Sequence, residues 1–257
     1  MAEALPTATI RPLQKEDEKL AHFMVAKASM ESLAAANRRA YYHPLVLSIW
    51  IGLSCVFIEY MQWWPNPRVG FVTFLSPLPA FASVLVPVMF FIDWINRPYF
   101  EKLTQDVLRA PGMKHIQDYY SRSPASGFWI MEYGDRFVGL VAIDASVQDA
   151  SNGNRKAATS QTATLRHFYV QEPYPAAGVQ DDLLSHALDH CLNAKPAIVQ
   201  EVNAQDSPLV PYARKSMKEA GFTLAKETGR VGLFRWRLGM CTLRRDVWEQ
   251  ARKAVTD

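Results

Sequence analysis

Cysteine is scarce in this 257-residue chain: Cys55, Cys191 and Cys241 stand far apart and odd in number. Such a set excludes a disulfide framework and a cysteine zinc site, and it suits a reducing compartment. No block of consecutive basic residues occurs and the net charge is only +3, so nucleic acid is not an expected partner. Residues 1–20 lack an apolar core, and no secretory signal is expected there. No internal repeat is visible. With 21% charged and 12% aromatic residues the composition is that of a folded protein. The length allows one domain, or one domain with an appendage.

Charge is missing from two long stretches. Residues 44–58 carry none, and the apolar run reaches Trp64 with only Glu59 interrupting; residues 69–92 again carry none. Each is long enough to cross a bilayer, which takes about 20 apolar residues. The short connector "PNPRV" makes them an antiparallel hairpin, and Tyr41, Tyr42, Tyr60, Trp63, Trp64, Trp94 and Tyr99 gather near its ends, as interfacial aromatics do. The alternative is a pair of buried core helices. Pro77, Pro79 and Pro87 would kink the second segment or make it re-entrant. Arg38 and Arg39 precede the hairpin and Arg97 and Lys102 follow it, against Arg68 alone in the connector. That bias places both termini in the cytosol. The chain thus divides into residues 1–43, a strand and helix of a soluble core; residues 44–96, the hairpin; and residues 97–257, the rest of the core.

In the soluble part, "ATIRPLQKEDEKLAHFMVAKASMESLAAANRR" reads as a short strand, then a turn, then helix from about Lys15. "EKLTQDVLRAPGMKHIQDYYSR" is broken helix. "FWIMEYGDRFVGLVAIDA" is a β-hairpin turning at Gly134-Asp135. The polar "SVQDASNGNRKAATSQ" is a loop, "ATLRHFYVQ" and "AIVQEVNA" are strands, and "SPLVPYARKSMKEAGF" is a helix ending at Gly221. "GRVGLFRWRL" reads as one strand and "TLRRDVWEQARKAV" as a closing polar helix. Paired antiparallel strands followed by a βαβ-like half predict a mixed α/β sheet.

"FYVQEPYPAAGVQDDLL" runs from strand through loop into a helix marked by Leu183, Leu184, Ala187, Leu188, Cys191 and Leu192. Free N–H groups at such a helix start suit phosphate, and glycines usually let the backbone approach it closely. Here Gly178 stands alone, with two prolines and two aspartates around it. His186 and His190 are one helical turn apart, yet no third ligand completes a set at a familiar spacing, so no metal is expected. Glu59 and Asp93 lie at the apolar boundaries, where interfacial positions account for them.

Laid out this way, the chain resembles the GNAT superfamily of acetyl-CoA-dependent N-acetyltransferases, and within it the membrane-anchored, camello-type branch. The resemblance rests on "IRPLQKEDEKL", the apolar hairpin before the core, "FWIMEYGDRFVGLVA", "LRHFYV" and "KSMKEAGF". It implies a GNAT-like mixed, mostly antiparallel sheet flanked by helices, with an inserted two-helix transmembrane hairpin. The implied cosubstrate is acetyl-CoA, held by Tyr169, Val170, Ala176, Ala177, Gly178, Val179 and Gln180. His167 is the implied catalytic residue, an imidazole placed to take a proton from an amine; a half-buried histidine satisfied by its neighbours is the other reading.

Two departures stand out. The family's phosphate loop is Gln or Arg, two residues, Gly, one residue, then Gly or Ala; of this only Gly178 matches, since Pro175 and Gln180 occupy the outer positions. Asp181 and Asp182 suit the helix dipole but would repel a polyphosphate by about 1–3 kcal/mol each at about 5 Å. The family's thiolate-protonating tyrosine, four residues before Gly-Phe, is here Met217, and helical rotation is expected to point Tyr212 to a different face. Two functions stay open. One is a membrane-anchored N-acetyltransferase acting on a small or amphipathic amine or a membrane-protein lysine. The other is a catalytically degenerate GNAT-fold scaffold or packaging chaperone for another membrane protein. The expected location is the endoplasmic reticulum membrane, with the core facing the cytosol.

Overall fold

Apolar alternation on either side of Gly134-Asp135 builds the centre of the sheet. The computed structural model describes residues 8–65, 74–147, 158–196 and 198–256. In it β2 (Gly127–Tyr133) and β3 (Arg136–Ser146) pair antiparallel, with Tyr133 opposite Arg136. Phe128 and Ile130 face one side of the sheet while Trp129 and Met131 face the other, the period of two that a pleated strand imposes. Around this hairpin lie β1 (Ala8–Pro12), β4 (Thr159–Val170), β5 (Glu201–Asp206), β6 (Thr223–Val231) and β7 (Trp236–Arg244). Their order is β1-β2-β3-β4-β5-β7-β6, and only β4 and β5 pair parallel. The mixed, mostly antiparallel sheet flanked by helices is therefore present.

Helices cover both faces. On one lie α1 (Glu18–Tyr41) and the short α4 (Ile116–Tyr120), whose Ala21, Met24, Val25 and Ile116 pack on Phe128, Ile130, Leu140 and Tyr169. On the other lie α5 (Val179–Asn193), α6 (Pro211–Glu219) and α7 (Arg245–Thr256), joined through Leu183, Leu188, Met217 and Trp248 to a second core with Val141, Ile143 and Leu243.

Between α1 and the sheet's hairpin the chain makes two further helices, α2 (Pro44–Met61) and α3 (Leu78–Leu108), each long and apolar enough to cross a membrane. Only 11% of each apolar window is buried, which does not suit a pair of core helices. They pack on one another, with Ser54, Ile58 and Ala80 buried, and Trp50 Nε1 donates to the Phe81 carbonyl at 3.0 Å. α3 stays helical through Pro87 and Pro98 and is continuous across residue 96; its 31 residues span about 46 Å. Its first part lies against α2 and its last part against α1.

Two segments differ from the sequence reading. "GRVGLFRWRL" is the turn of a hairpin and not one strand: Gly232 and Arg235 take positive φ, and β6 and β7 pair on either side of them. The first of these strands, "TLAKETGRV", is exposed along nearly its whole length and so carries no apolar alternation. β4 also begins four residues earlier than read, at Thr159. The hairpin connector beyond Pro65 and most of the polar loop before β4 lie outside the described residues.

Candidate functional site

β4 carries the site because its register breaks. Ala142 faces His167 across the β3–β4 ladder, but Ile143 faces Leu165, so Arg166 is an extra residue on β4. Before it, Ala163 and Leu165 face the α5 side; after it, Phe168 and Val170 face that side, while Tyr169 faces α1. The bulged strand then leaves its other neighbour. β4 and β5 pair only from Thr162–Glu201 to Leu165–Ala204, and beyond that the two strands have no ladder between them. Arg166 is anchored to Asp144 at 3.4 Å, and Asp144 also accepts from the Tyr119 hydroxyl at 2.9 Å.

A cavity of about 540 Å³ occupies the resulting gap. On the α1 side its walls include Ala28, Glu31 and Ser32 with His167 and Tyr169; on the α6 side they include Tyr212 and Met217. The size is that of pockets for drug-sized ligands. Tyr169 is buried and its hydroxyl donates to Glu31 Oε1 at 2.7 Å. Burial first, and that carboxylate second, push the Tyr169 pKa upward. His167 also lines the cavity; burial, with Arg166 and His22 nearby, pushes its pKa down to about 4. It is therefore uncharged at neutral pH and a weak base.

Tyr212, expected to point elsewhere, faces this gap. Its oxygen accepts from the Val170 N–H at 3.2 Å and its ring sits edge-on to Phe168. Burial pushes its hydroxyl pKa up to about 12, so it keeps its proton. Helical spacing concealed this because Tyr212 is the second residue of α6, at the end beside β4. Met217 lines the same cavity and has no proton to give.

The loop after β4 has a different geometry. Tyr174–Ala177, including Ala176 and Ala177, forms a 3-10 turn, and Gly178 follows with φ of 77° before α5 begins. That left-handed conformation suits glycine, although a Cβ there would meet only Asp181 Oδ2, at an ordinary contact distance of 3.8 Å. Val179 and Gln180 open the helix with no side-chain cap, which leaves their N–H groups without an intrahelical acceptor. The Asp181 N–H is already given to the Gly178 carbonyl, and the Asp181 carboxylate accepts from Ser216 on α6. Gln180 is buried and its Oε1 has no partner among the described residues. Of the residues implied for the cosubstrate, Tyr169 lines the cavity beside His167; Val170, Ala177, Gly178, Val179 and Gln180 do not, and the side chain of Ala176 lies outside what the structure describes. His186 and His190 pack edge-on against Trp129.

No family model matches the chain, and no curated protein matches it by sequence. Similar solved structures include a spermidine N-acetyltransferase from Vibrio cholerae in complex with CoA and spermine, at 12% identity over 94% of this chain and 98% of that one, with a TM-score of 0.47. Another is yncA from Salmonella typhimurium with its cofactor acetyl-CoA, at 12% identity, 93% and 94% coverage and a TM-score of 0.46. A GNAT-family acetyltransferase from Streptococcus pneumoniae is similar at 13% identity over 51% of this chain and 74% of that chain, with a TM-score of 0.42.

Proposed function

We propose that this protein is a membrane-anchored, acetyl-CoA-dependent N-acetyltransferase. The observation that carries the reading is the unpaired gap between β4 and β5, opened by the bulge at Arg166 and filled by a cavity reaching both faces of the sheet. Acetyl-CoA supplies the acyl group as a thioester. The free N–H groups of Val179 and Gln180 suit its phosphates, at the positive end of a 15-residue helix. Asp181 is tied to Ser216, which fixes its carboxylate against α6 without removing its charge.

The acceptor amine first gives its ammonium proton to solvent water; the neutral amine then attacks from the α1 side, forming a C–N bond as the C–S bond breaks. His167 takes a proton from nitrogen once bond formation has made that nitrogen acidic; with a pKa of about 4 it is too weak to deprotonate a free ammonium. Tyr212 gives its proton to the departing thiolate, the role that Met217 cannot fill. In this reading the α2–α3 hairpin is the anchor; the positive charge of Arg38, Arg39, Arg97 and Lys102 at its ends supports a core on the cytosolic side, and the proposed location is the endoplasmic reticulum membrane.

A second reading, a scaffold or packaging chaperone for another membrane protein, is favoured by a specific contact: the Val170 N–H is already occupied by Tyr212. Calorimetry of the detergent-solubilised protein with acetyl-CoA separates the two. Saturable binding supports the enzyme, and Tyr212→Phe then lowers turnover about 100-fold with donor binding retained. Absence of binding at millimolar acetyl-CoA assigns the chain to the scaffold class.

A further inference from the structure

The cavity extends well past the point where an acetyl group would be transferred. From Glu31 it continues along α1 to Arg38, about 10 Å further. Over that length its walls include Ala35 from α1, Phe100 and Leu103 from α3, Leu209, Val231 and Leu238. Most of these belong to one apolar cluster that also contains Leu33 and Ala36. Its far end at Arg38 is six residues before Pro44, where the charge-free segment begins. α1 itself ends at Tyr41, and Tyr42 and His43 turn the chain before α2 begins.

At the inner end stands Glu31, with one oxygen held by the Tyr169 hydroxyl at 2.7 Å and Lys27 Nζ at 3.8 Å. Both partners of that ion pair are partly exposed, at 33% and 40%, so it contributes little to stability and an incoming ammonium can replace it. The lysine, which is not among the cavity's lining residues, shows that the carboxylate accepts a primary ammonium. Arg166, the nearest cation on β4, is engaged with Asp144, and His167 is uncharged at neutral pH. Anionic headgroups are thus not favoured beside Glu31.

We propose that the acceptor is a membrane-resident long-chain aliphatic amine, its ammonium on Glu31 and its tail along the α1–α3 wall toward the bilayer. This rests on the acetyl-transfer reading for its chemistry, though the binding site can be tested without it. The acetylated product is uncharged at nitrogen, so it loses the Glu31 contact and can leave by the route its tail already occupies.

The probe is octylamine, whose chain has the reach of the apolar section, compared with propylamine. Each methylene buried is worth about fourfold, so octylamine binding tighter by about 100-fold or more is expected in calorimetry without any donor. Glu31→Gln keeps an acceptor for Tyr169 and is expected to weaken both amines at least tenfold while leaving acetyl-CoA affinity unchanged. Ala35→Phe narrows the apolar section and is expected to abolish only the advantage of octylamine. Equal binding of the two amines, or no effect of Glu31→Gln, overturns the proposal. So does acetylation of a lysine peptide in preference to both amines, which assigns a protein acceptor. If octylamine binds as expected and acetyl-CoA does not bind at all, the amine site stands and the acetyltransferase reading falls.

Discussion

His167 sits where β4 turns its side chains toward α1, in a pocket of protein that includes Phe128 and the cationic or titratable groups of Arg166 and His22. Loss of hydration is the main reason its pKa falls from 6.5 to about 4, and the two neighbours add to it. The unfolded chain binds a proton here as pH drops through about 6.5, whereas the folded chain does so only near 4. Between those values the unfolded state holds more protons, so stability falls as pH falls, and the loss is complete below about 4. Carboxylates titrate in part of the same window, and a paired comparison removes their share. The melting temperature of the native protein is expected to drop more steeply from pH 7 to pH 4 than that of His167→Gln. Parallel pH profiles would mean that His167 is hydrated and free to act as an ordinary imidazole base.

The gap depends on how closely β3 and β4 lie beside it. Gly139, opposite Val170, has no room for a side chain: a Cβ there would lie 2.7 Å from the Tyr169 carbonyl oxygen. Gly139→Ala must push β4 away, and overpacking of this kind costs about 1–3 kcal/mol. Chemical denaturation in detergent should register that loss, with weaker acetyl-CoA binding because Tyr169 and Val170 move. Gly229→Ala on β6 meets nothing within 4 Å and is expected to be close to neutral. The same elements show what could be read in advance. The β2–β3 hairpin and α5 announce themselves by apolar period and turn residues. The two apolar helices do so by lacking charge. The bulge at Arg166 left no such trace, since an inserted residue changes pairing without changing composition. β6 was missed because its side chains face water, and the place of Tyr212 depends on the packing of α6 against the end of β4, a contact far apart in sequence.

The hairpin and the sheet are joined by a polar clasp where the charge-free segments end. The Leu233 N–H, in the β6–β7 turn, donates to Asn96 Oδ1 at 2.7 Å. Asn96 donates to Asn37 on α1 at 2.8 Å, Asn37 donates to Asp93 at 2.7 Å, and Arg97 also donates to Asp93 at 2.7 Å. Both asparagines are buried, and beside them Phe234 of the turn stacks on His43 at 4.1 Å, just before α2. α1, α3 and the turn therefore meet where the charge-free segments end, and Asn37 of this clasp is next to Arg38 at the far end of the cavity. Removing one member leaves its buried partner unsatisfied, which costs about 1–3 kcal/mol. Removing a second member then costs much less, since the penalty has already been incurred. Asn37→Ala and Asn96→Ala are each expected to lower stability, and the double variant to be only slightly worse than either, with a coupling of about 0.5–3 kcal/mol in a double-mutant cycle. If the clasp also sets the orientation of the core, each single variant should reduce octylamine uptake from lipid vesicles more than its binding of soluble propylamine. Additive losses in the cycle, with both amines equally affected, would show the two asparagines to be separate space-fillers and leave the angle between sheet and hairpin to the apolar contacts of Ala40, Val46 and Ile92.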